Sequence, residues 1–115
     1  MSTLETFNSS LMQILKVLAG SVDTQIECLR NIGGASVDEL GLEFEEVWLL
    51  ADSILEANEI SDYQYDAIKK LNDKLELLSE EGGEIAWTED ALSKNAEWEM
   101  VRELAKDCIK SFSDD

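Results

Sequence analysis

Apolar residues recur along this chain at intervals of three and four, with no sustained alternation of period two. Leu4, Phe7, Leu11, Ile14, Leu18, Val22, Ile26, Leu29 and Ile32 line one helical face. Ser2-Thr3-Leu4-Glu5 stands at its start, with a hydroxyl acceptor three residues before a carboxylate. Gly20-Ser21 interrupts the stripe, so one bent helix or two coaxial ones are expected. Gly33-Gly34 predicts the end, because glycine accepts the left-handed C-terminal position. Ser36-Val37-Asp38-Glu39 opens a second stripe of Val37, Leu40, Phe44, Val47, Trp48, Ala51, Ile54 and Leu55, ending near Asn58. Gly41 weakens its first turn. Ser61-Asp62-Tyr63-Gln64 begins a third helix on Tyr65, Ile68, Leu71, Leu75 and Leu78, closed by Gly82-Gly83. Thr88 caps a short segment. Asn95 caps a last helix with Trp98, Val101, Leu104, Ala105, Cys108, Ile109 and Phe112 inside. Glu84-Ile85-Ala86-Trp87 alone reads as extended, and it is too short to found a sheet. The connections hold roughly two to six residues, as between antiparallel neighbours. The expected fold is all-α: residues 1–115 as one domain, a compact bundle of four to five antiparallel helices.

Composition narrows the chemistry. The chain has 115 residues, 26 Asp+Glu against 9 Lys+Arg, a formal charge of −17, no His and no Pro. An apolar fraction of 44% is enough for a hydrophobic core and argues against intrinsic disorder. So acidic a surface opposes direct contact with nucleic acid. Histidine acid–base chemistry and histidine metal ligation are excluded by the absence of that residue. No apolar run approaches the roughly 20 residues of a membrane span. Residues 1–8 carry Glu5 and no Lys or Arg, unlike the positive opening of a signal peptide, so cytoplasmic residence is expected. Cys28 and Cys108 fall inside helical stripes and read as free, buried thiols of a reducing compartment.

Enzyme signatures are missing. The two Gly-Gly pairs lie in no phosphate-binding loop, and the cysteines have no histidine to activate them. A carboxylate-bridged metal site in a bundle uses Glu-x-x-His pairs, and a calcium loop needs oxygen ligands at spacings that residues 62–73 do not offer. No catalytic residue, metal or cofactor is therefore expected. Asp52-Ser53-Ile54 loosely resembles the Asp-Ser-Leu attachment motif of acyl carrier proteins. Ser53 falls mid-helix, however, where an ordinary helical serine is the better reading.

The placement of charge is the informative feature. Between Arg30 and Lys69 stand ten acids and no base: Asp38, Glu39, Glu43, Glu45, Glu46, Asp52, Glu56, Glu59, Asp62 and Asp66. Glu45, Asp52, Glu56 and Glu59 are seven, four and three apart and share a helical face, with Glu39, Glu43 and Glu46 as a neighbouring row. Like charges at such spacings destabilise a helix by a few tenths of a kcal/mol per pair, a burden that solubility alone does not require. Elsewhere the acids have partners: Lys69, Lys70 and Lys74 can meet Asp66 and Asp73, while Arg102, Lys106 and Lys110 can meet Glu99, Glu103 and Asp107. The acidic interval is expected to dock a strongly basic partner, with aromatic anchors supplying affinity. Tyr63 and Trp87, at helix boundaries, suit that role, whereas Trp48 and Trp98 belong to core stripes. A nuclease has such a basic cleft, and carboxylates on a helix can occupy it in place of a phosphate backbone.

The Tyr65–Leu78 helix is followed by Trp87-Thr88-Glu89-Asp90-Ala91-Leu92 and by Trp98-Glu99-Met100-Val101-Arg102-Glu103-Leu104-Ala105. Residues 62–109 in this way resemble immunity proteins of bacterial polymorphic-toxin and contact-dependent growth-inhibition systems. Those proteins have several unrelated folds, so the resemblance implies a role and not an architecture. It implies a cytoplasmic inhibitor that binds one cognate toxin domain stoichiometrically, and the charge of −17 per chain, which opposes self-association, leads us to expect a monomer when free. The candidate partner-binding residues, Glu39, Glu43, Glu45, Glu46, Asp52, Glu56, Glu59, Asp62 and Tyr63, come from the charge argument. Two alternatives are a nucleic-acid mimic directed at a host nuclease or DNA-binding protein, and an acyl-carrier-like protein.

Overall fold

Glycine and hydroxyl side chains decide where the helices break. In the computed structural model, which describes residues 3–31 and 37–113, α1 (Thr3–Ala19) stops before Gly20 and α2 (Val22–Asn31) starts after Ser21. Ser21 Oγ accepts from the Thr24 N–H at 3.2 Å, giving the second helix its own cap. The two-helix alternative is therefore the one adopted. The proposed capping residues Ser2 and Ser36, together with Ile32 and Gly33-Gly34, lie outside the described residues.

The third helix, α3 (Asp38–Glu56), ends in a Schellman motif. Asn58 takes the left-handed conformation at φ 58°, and its N–H bonds Leu55 O while that of Glu59 bonds Ile54 O. α4 (Asp62–Gly82) begins with the capping box read from the sequence: Gln64 N–H donates to Ser61 Oγ at 3.1 Å, and Ser61 N–H donates to Gln64 Oε1 at 2.9 Å. Gly83, at φ 57°, turns the chain out of α4. Residues Gly83–Trp87 form a 3₁₀ helix and not the extended stretch their composition suggested. Trp98 Nε1–H donates to Ala86 O at 2.7 Å, a tertiary tie that local preference does not encode. Thr88 and Asn95 cap α5 (Glu89–Lys94) and α6 (Ala96–Ser113), as their positions implied.

The protein is an all-α bundle. Among the described residues there are six α-helices, more than four or five, because the first stripe divides at Gly20 and the Thr88 segment is a helix of its own. The four long helices form a closed ring of pairings: α1 on α3, α3 on α4, α4 on α6 and α6 on α1. Short α2 packs on α1 and on α5, and α5 packs on α6. Phe7, Leu11, Leu18, Leu40, Phe44, Ile68, Leu71, Trp98 and Val101 fill the interior with negligible exposure. No described helix is long and apolar enough to cross a membrane.

One polar cluster is buried with this core. Arg102, 7% exposed, reaches Gln25 Oε1 from both Nε (3.4 Å) and Nη2 (3.2 Å). Its Nη2 also donates to Leu92 O, and its Nη1 pairs with Glu99 at 3.0 Å. Gln25 in turn donates from Nε2 to Leu18 O at 3.0 Å, satisfying a carbonyl left open by the break after α1. Four helices are thereby tied through two side chains.

Candidate functional site

α3 turns its core stripe of Leu40, Phe44, Val47, Ala51 and Ile54 inward. Its opposite side carries Leu42, Glu45, Leu49, Asp52 and Glu56, spaced three, four, three and four apart and all exposed. Leu49 is 70% exposed and Leu42 52%, unusual values for residues on a packed helix. Among the described residues no ion pair neutralises Glu45, Asp52 or Glu56. The ridge is thus acidic and apolar together. Leu42 and Leu49 fall outside the inward stripe, and only their seven-residue spacing marks them in the sequence.

The other predicted acids are distributed differently. Glu43 and Glu46 turn toward α1, where they line a crevice of about 300 Å³ with Ser10, Ile14 and Leu50, and the charge of Glu39 reaches Glu43. Burial, then the charges of Glu39 and Glu46, raises the Glu43 carboxyl above its ordinary range. Glu59 lies beyond the end of α3, since the chain reverses at Asn58, and so does not extend the face. Asp62 is in the first turn of α4. Tyr63, 66% exposed, lines a separate hollow between α4 and α6 with Asp66, Lys70, Leu104 and Lys110. The nine candidates therefore do not form one surface. Only Glu45, Asp52 and Glu56 share the ridge.

Beside the ridge, between α3 and α4, runs a groove of about 360 Å³. Phe44 and Leu75 line it, Trp48 and Trp87 flank it, and Asp38, Glu45 and Glu76 bring three carboxylates to it. Trp48 is half-buried here and not wholly in the core; its ring packs on Tyr65, with centroids 5.5 Å apart and planes at 32°. Tyr65 donates its hydroxyl proton to Asp52 at 2.6 Å, and this bond, followed by burial and the carboxylate charge, raises the phenol pKa. Trp87 donates Nε1–H to Ser79 Oγ at 3.0 Å and meets the buried Trp98 edge-on at 5.3 Å and 89°. A β-carbon on Gly41 would stand 2.8 Å from the Trp87 ring, so glycine at this helical position makes room for the indole. Nothing in local sequence joins Gly41 to Trp87.

The bases behave largely as their spacing implied. Lys69 pairs with Asp73, Lys70 with Asp66, and Lys106 with Glu103, whereas Lys74 crosses to Glu97 on α6. Both cysteines are free. Cys108 is buried and its thiol is pushed up to about 12 by that burial; Cys28 is only partly covered, with its pKa raised first by burial and then by Glu43. Among the described residues no group of three or more acids or cysteines is placed to hold a metal ion. Ser53 is exposed in the last turn of α3, not mid-helix, and away from any helix start. No protein-family model, curated protein or solved structure matches the chain.

Proposed function

We propose that the protein is an immunity-type inhibitor that docks a basic toxin domain, in the cytoplasm and without catalysis of its own. The observation carrying this reading is the exposed ridge of α3, on which Leu42 and Leu49 alternate with Glu45, Asp52 and Glu56. Carboxylates that no cation of the described residues neutralises accelerate encounter with a positive surface and set its orientation, and the leucines supply area to be desolvated once contact is made. A nuclease fits best, because a cleft that holds phosphates presents cations to such a ridge. The resemblance of residues 62–109 to bacterial immunity proteins points the same way.

Co-expression with the toxin domain that this reading expects a neighbouring gene to encode tests the proposal, with growth as the readout. The wild-type chain is expected to restore growth, and the combined changes Glu45→Gln, Asp52→Asn and Glu56→Gln to abolish protection while leaving the helical circular dichroism intact. Undiminished protection by that variant would refute the ridge as the docking surface.

A further inference from the structure

We propose, resting on the docking reading above, that the groove between Trp48 and Trp87 receives an arginine side chain of the basic partner protein. Three independent features converge there. First, two indole rings line the groove, and indoles are the strongest aromatic partners for a cation. Second, Asp38, Glu45 and Glu76 bring negative charge to it from two helices, a setting that repels phosphates and carboxylates and attracts a guanidinium. Third, Asn72, 8% exposed, lines the same groove, and among the described residues its side-chain amide has no hydrogen-bond partner. Its amide still reaches the groove, and the oxygen is an acceptor open to an incoming N–H.

The chemistry favours arginine over lysine. A guanidinium is planar and weakly hydrated, stacks on aromatic faces, and carries five donors in a fixed fork. One such group can lie against an indole while donating both to Asn72 Oδ1 and to a carboxylate. An ammonium is compact and strongly hydrated and loses more on entering. The walls are held in advance, Trp48 by Tyr65 and Trp87 by Ser79, Trp98 and the space over Gly41. Little ordering is left to the binding event. Glu45 belongs to both the groove and the ridge, so a protein seated on the ridge brings its own side chains to the groove.

The test uses 15N-labelled full-length protein titrated with hexa-arginine and, separately, hexa-lysine at equal ionic strength. Hexa-arginine is expected to bind about fivefold more tightly or better and to move the indole N–H signals of Trp48 and Trp87 while that of Trp98 stays put. Asn72→Leu, and the milder rim change Glu76→Gln, should each pull the arginine-to-lysine ratio toward one. Equal binding of the two peptides with unmoved indole signals would overturn the arginine groove yet leave the acidic ridge standing. Failure of both peptides to bind would also overturn the groove, and the docking reading would then be decided by co-expression. If Asn72→Leu loses its fold, Glu76→Gln alone decides the ratio.

Discussion

At the residue scale, Glu43 shows how position changes the meaning of a charge. On the sequence it is one acid among ten; in the fold it sits partly covered in the α1–α3 crevice between Glu39 and Glu46. Its raised pKa means that the folded chain holds this proton more tightly than the unfolded chain does. The stabilising effect of that proton is full in acid and is lost as pH rises from the ordinary carboxylate range through the raised value, so the ionised group weakens the fold at neutral pH. Glu43→Gln is therefore expected to stabilise by about 0.5 kcal/mol at pH 7, with the difference vanishing near pH 4. Urea unfolding of both proteins at the two pH values measures it, and a loss of stability at pH 7 would contradict the assignment.

Among the elements, the Arg102–Gln25 cluster makes a sharp prediction. Arg102→Ala leaves Gln25 Oε1 and Leu92 O buried without their donor and is expected to destabilise by about 2–3 kcal/mol. Glu99→Gln removes only the exposed end of the same network and should change stability by less than about 0.5 kcal/mol. Thermal melts of the two variants distinguish a buried polar tie from a surface pair. This cluster also marks how far the sequence could be read. Periodicity and caps located the helices well, since Ser61, Gln64, Thr88, Asn95 and Gly83 act within their own turn. Arg102 looked like half of an i, i+3 surface pair, which it is, but its hold on α2 depends on a residue 77 positions away. Gly41 against Trp87, Asn72 in the groove, and the turning of Glu43 and Glu46 toward α1 are likewise products of tertiary packing. The ridge leucines were within reach of pattern reading; the groove was not.

For the whole molecule, a formal charge of −17 on 115 residues sets a repulsion that opposes compaction. Raising salt from about 0.02 M to about 0.5 M shortens the screening length severalfold and should raise the melting temperature by about 5 °C. The same change should slow capture of a basic partner by an order of magnitude or more, since steering is screened as well. Differential scanning fluorimetry and stopped-flow association would record the two opposite responses. A melting temperature that fell with salt would mean that attractive pairs, and not the uncompensated acids, dominate the surface.

The ring of pairings has a consequence for how the chain is made. Among the described residues α6 follows the other five helices in chain order, and it supplies Trp98, Val101, Ala105 and Cys108 to the interior. Both α1 and α4 pack against it. Until it emerges, the ring stays open, with the α1 and α4 faces that α6 covers left exposed, so the bundle cannot close cotranslationally, helix by helix. Closure of the ring is therefore a nearly all-or-none event that waits on α6.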